Sequence, residues 1–209
     1  MTKEYKTVCF ENEIDWEKVP VGKIDCFQWE SDPPFRPESS FQMCFLKGKG
    51  VFVRMNSNEK ELRKLCTKRD ERIWEDSCLE FFFSPEEGAG YLNTEMNPNG
   101  AFLTQVGKER ENRRFLKQLT LVSPEVTAHS DENGWGVELF LPCALFEEAF
   151  GVPFAAAPGV FRGNFFKCGD KTKTPHYGSF SPMGSISLGF HNPSLFATIT
   201  VKEDATKNG

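Results

Sequence analysis

Trp74-Glu75-Asp76-Ser77-Cys78-Leu79-Glu80-Phe81-Phe82-Phe83 is the stretch that decides the fold. Read as a strand from Ser77 to Phe83, it sets Leu79, Phe81 and Phe83 on one face and Cys78, Glu80 and Phe82 on the other, because strand side chains alternate. The first set is core-forming. The next candidate strand, Tyr91 to Met96, repeats the arrangement: Leu92, Thr94 and Met96 alternate with Tyr91, Asn93, Glu95 and the following Asn97. Asn99-Gly100 then separates it from a third run, Ala101 to Val106, and is a strong hairpin signal.

The same period of two extends outward through Tyr5 to Phe10, Ser40 to Leu46, Val51 to Asn56, Leu119 to Val122, Val126 to Ser130, Trp135 to Leu141, Val160 to Cys168 and Phe196 to Val201. The separators carry turn chemistry, as in Lys47-Gly48-Lys49-Gly50, Ser84-Pro85-Glu86-Glu87-Gly88 and Asp131-Glu132-Asn133-Gly134. Helix is scarce. Cys143 to Phe150 follows Pro142 and stops at Gly151, which predicts a two-turn helix. Glu59 to Thr67 reads as a short surface helix or a structured loop. Short strands without a βαβ rhythm predict an all-β fold, an antiparallel, jelly-roll-like β-sandwich with one or two short helices. One domain is expected over residues 5–201, with frayed termini at 1–4 and 202–209. Leu79, Phe81, Phe83, Val137, Leu139 and Leu141 are expected to be buried together.

The 209 residues include 21 Phe, 4 Trp and 3 Tyr, and rings in this proportion suit the broad surfaces between stacked sheets. The net charge of −5 opposes nucleic-acid binding, which depends on clustered cations. Lys108 to Lys117 is the one basic cluster; Glu109 and Glu111 interrupt it, so it reads as a solvated rim. No apolar run approaches the roughly 20 residues of a membrane span. Met1 to Lys6 lacks an apolar core and a cleavage site, so a cytoplasmic location is expected, or an extracellular one if the chain is a trimmed form. The seven cysteines form no Cys-x-x-Cys pair and read as reduced thiols serving as small buried hydrophobes. His129, His176 and His191 are isolated, and neither a phosphate-binding loop nor a Gly-x-Ser-x-Gly elbow is present. Asp70, Asp76 and Asp170 could supply oxygen ligands, yet none lies in a calcium-loop pattern. The sequence sets no oligomeric state.

Two readings of the face carrying Glu80, Asn93, Glu95 and Asn97 stay open. It could be solvated, as one side of an antiparallel sheet often is. It could equally be a polyol site, where carboxylates and amides hold hydroxyls and a ring such as Trp74 stacks on a sugar face. The alternative for Trp74 is to close the end of the sandwich.

At these residues the chain resembles the family 9 carbohydrate-binding modules. Ile14-Asp15-Trp16-Glu17-Lys18-Val19-Pro20, Val51-Phe52-Val53-Arg54-Met55, Trp74 to Phe82, Glu95-Met96-Asn97-Pro98-Asn99-Gly100 and Trp135-Gly136-Val137-Glu138-Leu139-Phe140-Leu141-Pro142 carry the likeness. Asn164 to Asp170 and Pro175 to Pro182 are similar to the stand-alone, bacterial-type members. The resemblance implies a non-catalytic sandwich that binds a mono- or short oligosaccharide between two stacked rings, in some members as an accessory to glycoside hydrolases in polysaccharide catabolism. It requires no cofactor, although a structural calcium is compatible with it. Its first ring corresponds to Trp74, its glutamate to Glu80, and its polar groups to Asn97 and Asn164. Its second ring, usually tryptophan, corresponds to Phe180, and a usually basic position to Glu95. Trp74 and Phe180 are then expected to face each other, with Glu80 and Asn97 on the floor, and Phe180→Trp is expected to strengthen binding. Two other readings remain: a related haem or redox-cofactor sandwich using Met55, Met96 or His176, and a glycosidase using Glu80 and Glu95 as its acid pair.

Overall fold

The computed structural model describes residues 2–29, 32–184 and 187–204. Strands β1 (Glu4–Phe10), β2 (Gly22–Ile24), β3 (Cys26–Trp29), β4 (Ser39–Leu46) and β5 (Gly50–Ser57) come first. They are followed by β6 (Cys78–Ser84), β7 (Tyr91–Met96), β8 (Phe102–Gly107), β9 (Arg114–Phe115), β10 (Glu125–Asp131) and β11 (Gly134–Pro142). One helix, α1 (Cys143–Phe150), precedes β12 (Gly159–Cys168), β13 (Tyr177–Ser179) and β14 (Ala197–Glu203). Strands make up 44 % of the described residues, so the all-β expectation holds. Among the described residues no helix is long and apolar enough to cross a membrane.

The strands form one curled sheet in the order β10-β11-β5-β4-β1-β14-β12-β6-β7-β8-β9, with β2 on β4 and β13 bridging β12 and β3. Curling brings its halves face to face. Val53, Met55, Val137 and Leu139 from one half share a core with Leu79, Phe81, Phe83 and Phe165 from the other. All six residues expected in the core are there. The antiparallel expectation needs correction, because β1 runs parallel to both β14 and β4. Hairpin-linked neighbours must be antiparallel. The long excursions joining β1, β4 and β14 leave their relative direction free.

Turn chemistry sets the hairpin beside the site. Asn97 accepts the amides of Asn99 and Ala101 on its side-chain oxygen, and Gly100 takes a left-handed φ of 75° in the β7–β8 turn. Gly151 ends α1 in the same conformation, its amide bonded to Glu147.

One predicted strand is absent among the described residues. Leu119 closes a 3₁₀ turn and Leu121 is fully exposed, so Leu119 to Val122 pairs with no strand. Of the two forms expected for residues 59–67, a short helix or a structured loop, the chain takes the loop, because their amides are taken elsewhere. Arg63 donates to the Ser77 hydroxyl, Cys66 to Asp76 and Thr67 to Glu71. At the loop's start, Glu59 pairs with fully buried Lys167 at 2.9 Å, and Lys167 also meets His176 at 2.7 Å.

Candidate functional site

Cys78, Glu80 and Phe82 occupy the outer face of β6, and the structure covers that face. Phe82, Tyr91, Phe166, Phe190 and Phe196 form a second apolar cluster there, with Met183 and Leu195 packed against it. The solvated-face reading is therefore overturned: Glu80 and Glu95 are only 3 % and 4 % exposed, and Asn93 and Asn97 are fully buried. Glu80 lies directly opposite Glu95 across β6 and β7.

A cleft of about 250 Å³ reaches these two acids. Trp74, Tyr177 and Phe190 supply rings to its walls, and Arg110, Arg113, Cys168, Asp170 and His191 supply polar groups. Trp74 sits in the 3₁₀ turn Ile73–Glu75. That turn is strapped to the loop after β12, where the amides of Asp170 and Lys171 donate to the carbonyls of Trp74 and Glu75, each at 3.1 Å. Asn93 donates to Glu95 (3.1 Å) and accepts from Arg113 (2.8 Å). Arg113 and the Tyr91 hydroxyl both meet His191 Nδ1, at 3.0 and 2.9 Å. With two donors on Nδ1, the imidazole is neutral and carries its proton on Nε2. The second Glu95 oxygen, Oε2, is buried and has no protein partner.

A larger concavity, about 620 Å³, lies elsewhere, bordered by residues that include Asp25, Glu38, His129 and Asp131. All three of its carboxylates are exposed and already solvated. We assign the site to the smaller cleft, where buried acids lie among rings and cations.

Burial pushes Glu80 up to about 7. Burial, then the neighbouring Glu80, holds Glu95 well above the carboxylate range. Burial, followed by Arg113, depresses His191 to about 3, and burial with Lys167 lowers His176 to about 4. The stabilisation from the two acids is complete below the unfolded carboxylate pKa of about 4.3 and is lost as pH rises through the folded values. The stabilisation from the two histidines is complete above about 6.5 and is lost as pH falls. The pairs oppose each other at acid pH, and above 6.5 the acids' loss stands alone. Urea unfolding should therefore show stability falling as pH rises above about 6.5. Glu95→Gln, which keeps an acceptor for Asn93, should flatten that fall. An unchanged slope would mean that Glu95 is already ionised in the folded protein.

Trp74, Glu80 and Glu95 thus come together, whereas the other three expected site residues do not line the cleft. Asn97 is spent on the hairpin and on Asp76 and the Cys66 carbonyl, at 2.9 Å each. Asn164 pins the 180–183 segment to β12, donating to the Ser181 carbonyl (3.0 Å) and accepting the Ser181 amide (2.9 Å). Phe180 is a correction as well. Its amide donates to the Phe165 carbonyl at 2.9 Å, and its ring, 7 % exposed, packs edge-on against Tyr5 and Phe41 in the core. Phe180→Trp should therefore overpack the core and cost about 1–3 kcal/mol in urea unfolding. A variant that is stable and gains sugar affinity would return that ring to a ligand site.

Arg113, Tyr177, Phe190 and His191 were not anticipated. Arg113 lies in the supposed solvated rim but points its guanidinium at Asn93 and His191. Phe190 stacks on Phe166 at 4.2 Å and is the ring that supplements Trp74 in the cleft, together with Tyr177. Met55, Met96 and His176, the ligands considered for a haem, are at most 1 % exposed and do not border this cleft. Asp76 is engaged by Arg63, Cys66 and Asn97, and Asp70 by Lys117.

A curled β-sandwich with a ring-walled cleft over one outer face defines a class of binding modules. The model of carbohydrate-binding family 9 matches residues 9–201, and the chain belongs to that family. A candidate carbohydrate-binding protein from Bacteroides uniformis ATCC 8492 superposes with a TM-score of 0.81 at 26 % identity, over 97 % of this chain and 100 % of that one. A family 9 carbohydrate-binding module from Caldicellulosiruptor kristjanssonii, solved with glucose, gives a TM-score of 0.66 at 12 % identity, over 98 % of this chain and 96 % of that one. The same module solved with cellotriose gives 0.66 at 13 % identity, over 99 % and 97 %. No curated protein matches the chain.

Proposed function

We propose that the protein binds a mono- or short oligosaccharide in the Trp74 cleft, without turnover. One observation carries the reading: Glu95 Oε2 is buried without a protein partner at a cleft walled by Trp74, Tyr177 and Phe190. A buried polar atom left unpaired costs roughly 1–3 kcal/mol, and a ligand hydroxyl, which can both donate and accept, would satisfy it. Rings suit the C–H faces of a pyranose, while Glu80, Glu95, Arg113, Asp170 and the neutral His191 offer acceptors and donors for its hydroxyls. Family membership supports the class of ligand, and the family is one of non-catalytic binding modules. Glucose and cellotriose in the Caldicellulosiruptor structures make glucose-based sugars the first to test.

Calorimetry with glucose, xylose and cellobiose should give saturable binding for at least one of them, at one site per chain. No saturation with any of the three would overturn the reading. Against turnover stands the family itself, which is one of non-catalytic binding modules. Release of an aryl leaving group from an aryl glycoside, abolished by Glu80→Gln, would restore the glycosidase reading.

A further inference from the structure

We propose that Cys78, Cys168 and Glu80 form a site for a thiophilic divalent cation of the Zn²⁺ type, with its remaining coordination position on the cleft side. Cys78 and Glu80 are two residues apart on β6 and share a face, while Cys168 of β12 is the direct cross-strand partner of Cys78. The strand frame therefore sets all three side chains together. One ligand atom from each lies within 4.8 Å of the others, and this is the only such group found among the described residues. Cys168 Sγ is 2.9 Å from Glu80 Oε1, and Cys78 Sγ is 3.9 Å from the same oxygen.

Zinc bonds of about 2.3 Å to sulfur and about 2.1 Å to oxygen put tetrahedral ligands roughly 3.5–3.8 Å apart, a spacing these groups reach with small side-chain shifts. Two thiolates and a carboxylate suit zinc and its analogues better than calcium, which takes oxygen ligands. Thiols serving as apolar filler would be surrounded by hydrocarbon, whereas here a carboxyl group lies beside both. Cys168 and Glu80 border the cleft, which gives an ion a way in. The hydrogen bond from Cys78, then burial, holds Cys168 well above the ordinary thiol value, and burial pushes Cys78 to about 12. A cation at their centre would supply the charge that lets both ionise. Binding would thus release two thiol protons, and a third where Glu80 is protonated.

The test is a titration of the reduced protein with Co²⁺ in the presence of a phosphine reductant and without sugar. The expected result is one equivalent of tetrahedral cobalt with a thiolate charge-transfer band, bound with proton release and then displaced by Zn²⁺ with no further release. Cys78→Ala and Cys168→Ala should each weaken binding by more than about 100-fold and diminish the band. Cys26→Ser, at a half-buried thiol on another strand, should change neither. A wild-type protein that gives no charge-transfer band, or a band that survives Cys78→Ala and Cys168→Ala, would overturn the proposal. No arm depends on sugar, so failure of the carbohydrate reading leaves this test intact.

Discussion

Trp74→Ala should abolish measurable sugar binding and leave the fold in place. An indole stacked on a pyranose and shielded from water typically contributes at least about 2 kcal/mol, so its removal should raise the Kd by at least about 30-fold. Trp74→Phe should fall between the two, because phenyl offers less area. The change should be local: what holds this turn is backbone bonding, from Asp170 and Lys171 to the carbonyls of Trp74 and Glu75, and it survives truncation of the side chain. Trp74 is only half-buried, so little core is lost. The check is calorimetry beside a far-UV spectrum and a melting curve. If a sugar binds wild type and Trp74→Ala with equal affinity, the ligand sits elsewhere, and the larger concavity over the β2–β4–β5–β11 edge becomes the site.

The longer strands were legible because each runs for at least five residues of strand-forming pattern, and the sheet reproduces their bounds almost to the residue, as in β7 and β12. What escaped was too short to show a period. β2 and β13 have three residues each, β9 has two, and the four of β3 include no clean alternation. Parallel pairing of β1 escaped for another reason: alternation specifies faces and says nothing about which strand lies alongside.

The site was half legible. Strand phase placed Glu80 and Glu95 on one face, and a ring beside the strand drew attention to Trp74; the register that sets the two acids opposite each other came from the structure. Asn97 and Asn164 were polar residues in the right phase, but their amides are consumed by the backbone of turns packed against them. A buried polar side chain satisfies its nearest neighbours first. Phe180 failed through register: the amide that bonds to Phe165 turns its ring into the sandwich. Arg113 was hidden in a run of mixed charge, because a strand pattern cannot show which member of a loop folds back over the sheet. The thiol pair was invisible to a search for Cys-x-x-Cys spacing, since its members are 90 residues apart and meet only through the β6–β12 register.

Phe81→Ala should be the most destabilising single change considered, at about 3–5 kcal/mol, which is the range for truncating a buried Phe. Phe81 is fully buried, stacks on Phe165 at 4.8 Å and packs beside Phe83 at 5.7 Å, where the two halves of the curled sheet meet. β6 is held by β7 on one side and β12 on the other, so the backbone cannot easily collapse into the space left behind. For a chain of this size the melting temperature should drop by roughly 6–20 °C. A loss below about 1 kcal/mol would mean that the core refills the gap, which this ring packing does not favour. Glu80 and Phe82 flank Phe81 on the opposite face, and their main chain stays pinned by the same two neighbours. Below its melting temperature, Phe81→Ala should therefore keep most of its sugar affinity while losing much of its stability. Trp74→Ala should do the reverse. If Phe81→Ala costs as much affinity as Trp74→Ala, the cleft would depend on the core behind it rather than on its own rings and acids.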